Sequence, residues 1–483
     1  MEEDNNDPQD DIKYKKEKNK RNSDAYISNL NEVDIDNKPI DENYLSDLKT
    51  YLEMSKGNDE SEITDAICWI NKMFPHIFTE CPIEFIIALV NFCKSEFDPL
   101  KNESFDLLIR FLHSRRSEEL IDPLLNNNII DMIIPNFPSN QAIEILGPIS
   151  RNAIGKKIMM ETNLLSALND VFTDGLEPES AGLVAQFIAN LTIDQFTYID
   201  QIPTVCQLML KFIPYIKPEI DAIISSNITR AFCNFVHSNH EFCQFFKDNF
   251  DIKMFYIYNG NLSETDDDSN DDVLLAKFGS ISDVIVMIND LIEDEEEYCD
   301  HVLQNNLLEY IDDVFNYEDN YLNTVITELL TQILGIFPQM FKAYHDLSYD
   351  YKLTSILVDE EISVQWRIAI LTFIAVFIIS GIDVDRNTLV EIQSSLPDGG
   401  FFTSLLRNIE VVTDSDLYEP ILDAFLCINE FERSTETEEI LLEMSENTDL
   451  QDFLGNVQNT HHIKNIAKAR MLEDLLDSML VSD

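Results

Sequence analysis

Four residues of the types that ligate zinc lie close together in this chain: Cys233, His237, His240 and Cys243. On one continuous helix, steps of four, three and three would bring them near a single face. The same helix would spread them over roughly 15 Å, too far for side chains that must each sit about 2 Å from one ion. Only a break near Ser238 and Asn239 would fold them together, so core cysteines and helix-end histidines are the expectation, with no metal. Other chemistry has less support. There is no Gly-x-Ser-x-Gly, no His-Glu-x-x-His and no phosphate-cradling glycine loop among 12 glycines. Paired carboxylates mean little among 89 Asp and Glu. The chain is expected not to be an enzyme and to need no cofactor.

The net charge of −56 narrows the partners. Affinity for nucleic acid rests on clustered Lys and Arg that neutralise phosphate. An acidic field instead attracts basic proteins and peptides, or simply keeps an elongated molecule in solution. The eight cysteines form no Cys-x-x-Cys and mostly sit in apolar runs, where they act as small hydrophobes. The acidic start, Met-Glu-Glu-Asp, lacks the apolar stretch of a signal peptide. The longest apolar run, Ile368 to Ile379, is about half what a bilayer requires. A soluble intracellular protein with no membrane insertion is the expectation.

The elements that would position any site come from a repeat. A twelve-residue helical segment returns about nine times, at Ile63–Phe74, Glu103–Ser114, Gln141–Asn152, Leu183–Asp194, Asn227–Ser238, Ser282–Glu293, Val325–Ile336, Ile370–Gly381 and Pro420–Phe431. A short polar stretch and a second apolar helix follow most copies, as at Asn128–Phe137 and Asn163–Phe172. A helices-only period near 40 residues marks a stacked solenoid, whose neighbours share one core and expose a long concave face. The fold class is therefore all-α, a right-handed superhelical solenoid with a C-terminal partial repeat.

Positions four and eight of the segment lie one turn apart on one face. Successive copies place there Asp106 and Arg110, Glu144 and Pro148, Gln186 and Asn190, Arg230 and Asn234, Ile285 and Asn289, Glu328 and Gln332, Phe373 and Phe377, and Asp423 and Cys427. A partly polar stripe along otherwise apolar helices faces either solvent or a ligand. An amide at the eighth position can both donate to and accept from the backbone of an extended peptide. A solvated face in an Asn-rich chain is the other reading.

Three stretches resemble one family. Gln141–Ser150 is similar to the armadillo-repeat helix of importin-α (karyopherin-α), Gly400–Ile409 with Leu422–Ile428 to that family's penultimate repeat, and Asp452–Ala467 to its short last one. The likeness covers about residues 44 to 480. It implies an adaptor that carries nuclear-localisation signals between cytoplasm and nucleus, with importin-β and an export receptor as partners. It also implies a peptide groove over Asp106, Glu144, Gln186, Asn190, Asn234, Asn289, Glu328 and Phe373. The family's position-four tryptophans are absent, and Phe373 alone keeps an aromatic that could stack on a cation. Arg110 and Pro148 stand where the family has Asn.

Three segments are expected: a mobile one over 1–43, repeats over 44–433, and an acidic linker with capping helices over 434–483. The first contains the dense basic run Lys13, Lys15, Lys16, Lys18, Lys20 and Arg21. It lies where the family has its importin-β-binding arm, and it is a shortened arm, a self-inhibitory segment or a polar tail.

Overall fold

The computed structural model describes residues 44–480, apart from residues 138, 173–174, 218, 260–270, 294, 316–318, 358–361, 397–399 and 431–434. The basic run and most of the acidic insertion at 264–272 lie outside the described residues. Twenty-five α-helices and no strand occur among the described residues, so the chain is an all-α repeat protein.

The recurring segment falls on the longer helix of each repeat: α1 (Glu60–Ile77), α2 (Asp98–Leu112), α3 (Asn140–Arg151), α4 (Pro178–Leu191), α5 (Ala222–Ser238), α6 (Asp271–Ile292), α7 (Asn320–Ile336), α8 (Val364–Ser395) and α9 (Tyr418–Leu426). The closing helix is α10 (Ile463–Leu480). The described residues divide into two compact units, up to Met287 and from Ile288 onward. Within the first, α1 packs on α2, α2 on α3, α3 on α4 and α4 on α5. Within the second, α7 packs on α8, α8 on α9 and α9 on α10.

Local sequence sets these helices. Asp59, Ser139, Asn152, Asp221, Asn239, Asp319 and Ser363 each accept N–H bonds from the first turn they precede, satisfying donors a helix leaves unpaired. A left-handed residue opens the short helix of three repeats, at Asn128, Asn306 and Ser348. Asn tolerates that conformation better than most side chains. Packing on both sides buries most of α4 and α7. From Ser180 to Leu191 only Gln186 is not buried, and from Leu322 to Leu330 only Glu328. These two helices are left with one narrow open stripe.

Helix α8 is longer than the apolar run suggests. Among the described residues it alone is long and apolar enough to cross a membrane. Asp385, with extended φ and ψ, divides it into two helical pieces, and Trp366, Phe373, Ile374 and Phe377 are buried within the unit.

The zinc-type residues show what a helix break does. Asn239 is extended, at φ −161° and ψ 136°, and α5 ends at Ser238. The condition for convergence is met, yet among the described residues no group of three or more His, Cys, Asp or Glu is placed to hold a metal. Asn239 donates to the Phe196 carbonyl and caps the following helix. Cys233 and Cys243 point into a core rich in phenylalanine, while His237 and His240 are exposed.

Candidate functional site

The open stripes of the long helices carry a ladder of polar bonds running from each helix to its neighbour. Residues at the eighth position make its most regular part. Asn190 Nδ2 donates to the Gly147 carbonyl at 3.2 Å, and Asn234 Nδ2 to the Ala189 carbonyl at 3.0 Å. Gln332 Nε2 donates to the Asn289 carbonyl at 3.2 Å, and Arg110 to both the carbonyl and Oδ1 of Asn71. Each spans one repeat, with partners 39 to 45 residues apart. A helical carbonyl has a second lone pair beyond the one used along its own helix, so these bonds join neighbouring helices without breaking either.

Other positions extend the ladder. Gln141 Nε2 donates to Asp106 Oδ1 at 2.6 Å, and Asn71 Nδ2 to Glu103 Oε2 at 3.2 Å. Asn140 contacts both Glu179 and the Ser180 hydroxyl. Arg230 Nε lies 3.3 Å from Asp283 Oδ2, with both side chains largely buried.

This geometry sorts the expected site residues. Asn190 is only 6% exposed and Asn234 half-buried, and both give an amide hydrogen to their own fold. One hydrogen of each amide is thus committed to a neighbouring helix. Asn289 is half-buried, and its Oδ1 is buried without a hydrogen-bond partner. Gln186 lies over Gly147 of the preceding helix. Asp106 and Glu328 are exposed, and Glu144 is half-buried. Phe373 offers no stacking surface, because it is fully buried against Tyr344 and Phe377. The reason is register: in α8 the partly open residues are Ile368, Thr372, Val376 and Ile379. The stripe therefore runs one residue ahead of the segment that begins at Ile370.

The electrostatics concentrate at Glu144. Burial raises its pKa, and the nearby Asp106 carboxylate raises it further. His113 Nε2 lies 3.8 Å from Glu144 Oε1, beyond hydrogen-bond reach. Burial and the Arg151 charge push the His113 pKa down to about 4, so its ring is neutral at physiological pH and does not offset the two carboxylates.

The far end of the chain shows an occupied acidic pair. Lys468 of α10 places its Nζ 2.8 Å from Glu419 and 2.7 Å from Asp423, one turn apart on α9. Asp423 is the fourth position of its copy. Hydrogen bonding to the lysine lowers the pKa of Glu419.

Sequence reasoning missed Asn71, Gln141 and Lys468, and it placed Arg110 on the stripe without its bonds to Asn71. A signal was present for three of them: a polar residue about one repeat period from another polar residue on the same stripe.

No protein-family model matches the chain, and no curated protein does. Among solved structures it aligns with an engineered protein at TM-score 0.56 and 12% identity, over 89% of this chain and 99% of that one. SYS-1 aligns at TM-score 0.46 and 11% identity, over 89% and 75% of the two chains. Importin beta aligns at 0.44 and 11%, over 90% and 55%. At such identities the likeness to the engineered protein is one of fold, and the other two scores are too low to carry an argument.

Proposed function

We propose that this chain is an armadillo-type protein-interaction module that takes a basic segment of a partner on carboxylates of its long helices. Lys468 on Glu419 and Asp423 carries the reading, because it is a lysine already seated on acids of this stripe. Asp106 and Glu144, on α2 and α3, offer a partner the same chemistry. Burial and then repulsion from Asp106 disfavour ionisation of Glu144, and a ligand cation would offset both. With no indole slots and with Asn190 and Asn234 engaged in the fold, recognition here rests on charge rather than on stacking and backbone clamping. Charge pairs at about 4 Å are worth only about 1 kcal/mol in water, so binding should be modest and salt-sensitive. Titration of a Lys-rich peptide at low and high salt tests this with Asp106→Asn and Glu144→Gln. Affinity should fall with salt and in both variants. Tight, salt-insensitive binding that ignores them would overturn the reading.

A more specific reading, nuclear-import adaptor, is favoured by the importin-α resemblance and by the basic run Lys13–Arg21. It requires binding to importin-β through residues 1–43, release by an export receptor, and shuttling between cytoplasm and nucleus. A pull-down with the intact chain and with residues 1–43 removed separates the two. Peptide binding without importin-β binding leaves a scaffold that does not transport.

A further inference from the structure

We propose that Lys468 of the closing helix α10 is a built-in competitor: it holds the Glu419–Asp423 pair of α9 until a lysine or arginine of a basic partner segment displaces it. This role rests on the reading above, that long-helix carboxylates take such a segment, and it makes the chain regulate one of those places itself.

The geometry is that of one cation bridging two acids at an open surface. Lys468 Nζ lies 2.8 Å from Glu419 Oε1 and 2.7 Å from Asp423 Oδ2. The acids stand four residues apart, hence one turn apart on α9, so a single ammonium reaches both. None of the three side chains is sealed off: Lys468 is 23% exposed, Glu419 50% and Asp423 37%. A cation arriving from solvent therefore has access to the same two carboxylates.

The fold does not depend on Lys468 staying in place. A separate row anchors α10: Asn465, Ala469, Leu472 and Leu476 are buried, and their spacing puts them on one helix face. Lys468 lies at the margin of that row and is half-buried. Its flexible four-carbon stem lets the ammonium swing out while α10 stays docked. Ion pairs between half-open side chains add little to stability. A ligand that displaces Lys468 therefore loses at most about five-fold in affinity. That is enough to set a threshold and too little to close the site.

The first acidic copy shows what a donor without charge does. Asp106 accepts from the Gln141 amide of the next long helix, and the carboxylate keeps its full charge. Asp423 accepts instead from an ammonium, which cancels one of the two negative charges on α9. The bond is equivalent in the two places, but the field that draws a basic ligand is not. Lys464, one turn earlier on α10, also bears on Glu419 by its charge, and does so equally in the native chain and in variants at 468.

The test is photo-crosslinking of the full chain, at physiological salt, to an N-acetylated Arg-rich peptide bearing a benzophenone, with attachment sites mapped by mass spectrometry. Lys468→Met removes the charge and keeps the stem. It should raise attachment at α9 several-fold and leave attachment at α2 and α3 unchanged. Lys468→Arg should stay at the native level. Adding Asp423→Asn to Lys468→Met should remove the gain, with the helical circular dichroism signal kept in every variant. In the native chain the peptide should also speed acetylation of Lys468 by acetic anhydride, compared with sodium chloride at equal ionic strength, because a displaced amine is open to the reagent. Equal attachment at α9 in the native and Lys468→Met chains, with Lys468 acetylation unchanged, overturns the proposal. The functional reading survives that result if attachment at α2 and α3 still falls in Asp106→Asn and Glu144→Gln. A gain at α9 that Asp423→Asn removes, beside attachment at α2 and α3 that ignores Asp106→Asn and Glu144→Gln, upholds the competitor and overturns the reading at those two helices. A gain that persists with Asp423→Asn would come from loosening of α10 and overturns the proposal.

Discussion

Replacing His113 with leucine tests the buried imidazole through its effect on stability against pH. An unfolded histidine titrates near 6.5, and in the folded chain burial and Arg151 bring His113 to about 4. Above pH 6.5 both states are neutral, and His113 adds no pH-dependent term. Between 6.5 and about 4 the unfolded chain takes up a proton that the folded chain refuses, so stability falls with pH. Each unit of separation is worth about 1.36 kcal/mol, which amounts to about 3 kcal/mol in full and about 2 kcal/mol at pH 5. Glu144 would favour the protonated ring, but at 3.8 Å it makes no hydrogen bond, and Arg151 opposes it. Leucine has similar bulk and nothing to titrate. At pH 7.5 His113→Leu should be no less stable than the native chain, since two unpaired nitrogens are removed. Its advantage should then grow by about 2 kcal/mol by pH 5. Urea unfolding followed by circular dichroism at pH 7.5, 6 and 5 measures this. The many carboxylates titrate in both proteins and cancel in the difference. A stability difference that stays constant with pH, or grows toward alkaline pH, would refute the reasoning.

Asn190→Ala should cost about 1 kcal/mol in urea unfolding, the usual worth of one internal hydrogen bond; a loss of basic-peptide affinity with stability unchanged would instead return Asn190 to the ligand face. Glu144→Gln should stabilise the chain near pH 7, because a carboxyl whose folded pKa is raised carries a penalty above that pKa. The gain should shrink as pH falls through the raised folded pKa and vanish only below the ordinary glutamate value, where both states are protonated, and urea midpoints at pH 7 and at about pH 3 would show it. Gly155→Ala should cost about 3 kcal/mol, at the upper end for overpacking, because a Cβ there would lie 2.2 Å from the Ile149 carbonyl oxygen. Thermal unfolding of the two chains reads the loss.

The fold was legible because burial and period agree. Leu107, Phe111, Ile145, Ile149, Phe187 and Leu191 recur at helical spacing in successive copies, and each is fully or nearly fully buried. The period also placed a long helix at each copy, though α6 begins well before its copy and α8 runs well past its own. Register was less secure where a helix is apolar on every side. In α8, Ile370 to Phe377 presents Phe, Ile and Leu almost continuously, and nothing in composition says that Thr372 and not Phe373 meets the open stripe. Position numbers carried from polar-striped copies slipped by one residue there, and the expected stacking aromatic went into the core.

The open face was legible as a stripe but not as a ladder, and the difference is physical. An Asn on a half-open helix surface satisfies a peptide backbone and a neighbouring helix carbonyl with the same two hydrogens. Sequence fixes the donor and leaves the acceptor undecided. Which acceptor wins depends on how near the next helix comes. Close contact is available between α3 and α4, where Gly147 lies beneath Gln186, and between α4 and α5, where a Cβ on Gly182 would touch Ile224 at 3.3 Å. Small residues at these crossings bring the helices together, and the position-eight amides then reach across to the carbonyls of Gly147 and Ala189. Acidic side chains at position four have no carbonyl to reach, since they only accept. Their partners must be donors, and the fold supplies Gln141 to Asp106 and Lys468 to Asp423. The stripe residues therefore split by chemistry: amides at position eight donate to the carbonyls of a neighbouring helix, and carboxylates at position four accept from side-chain donors.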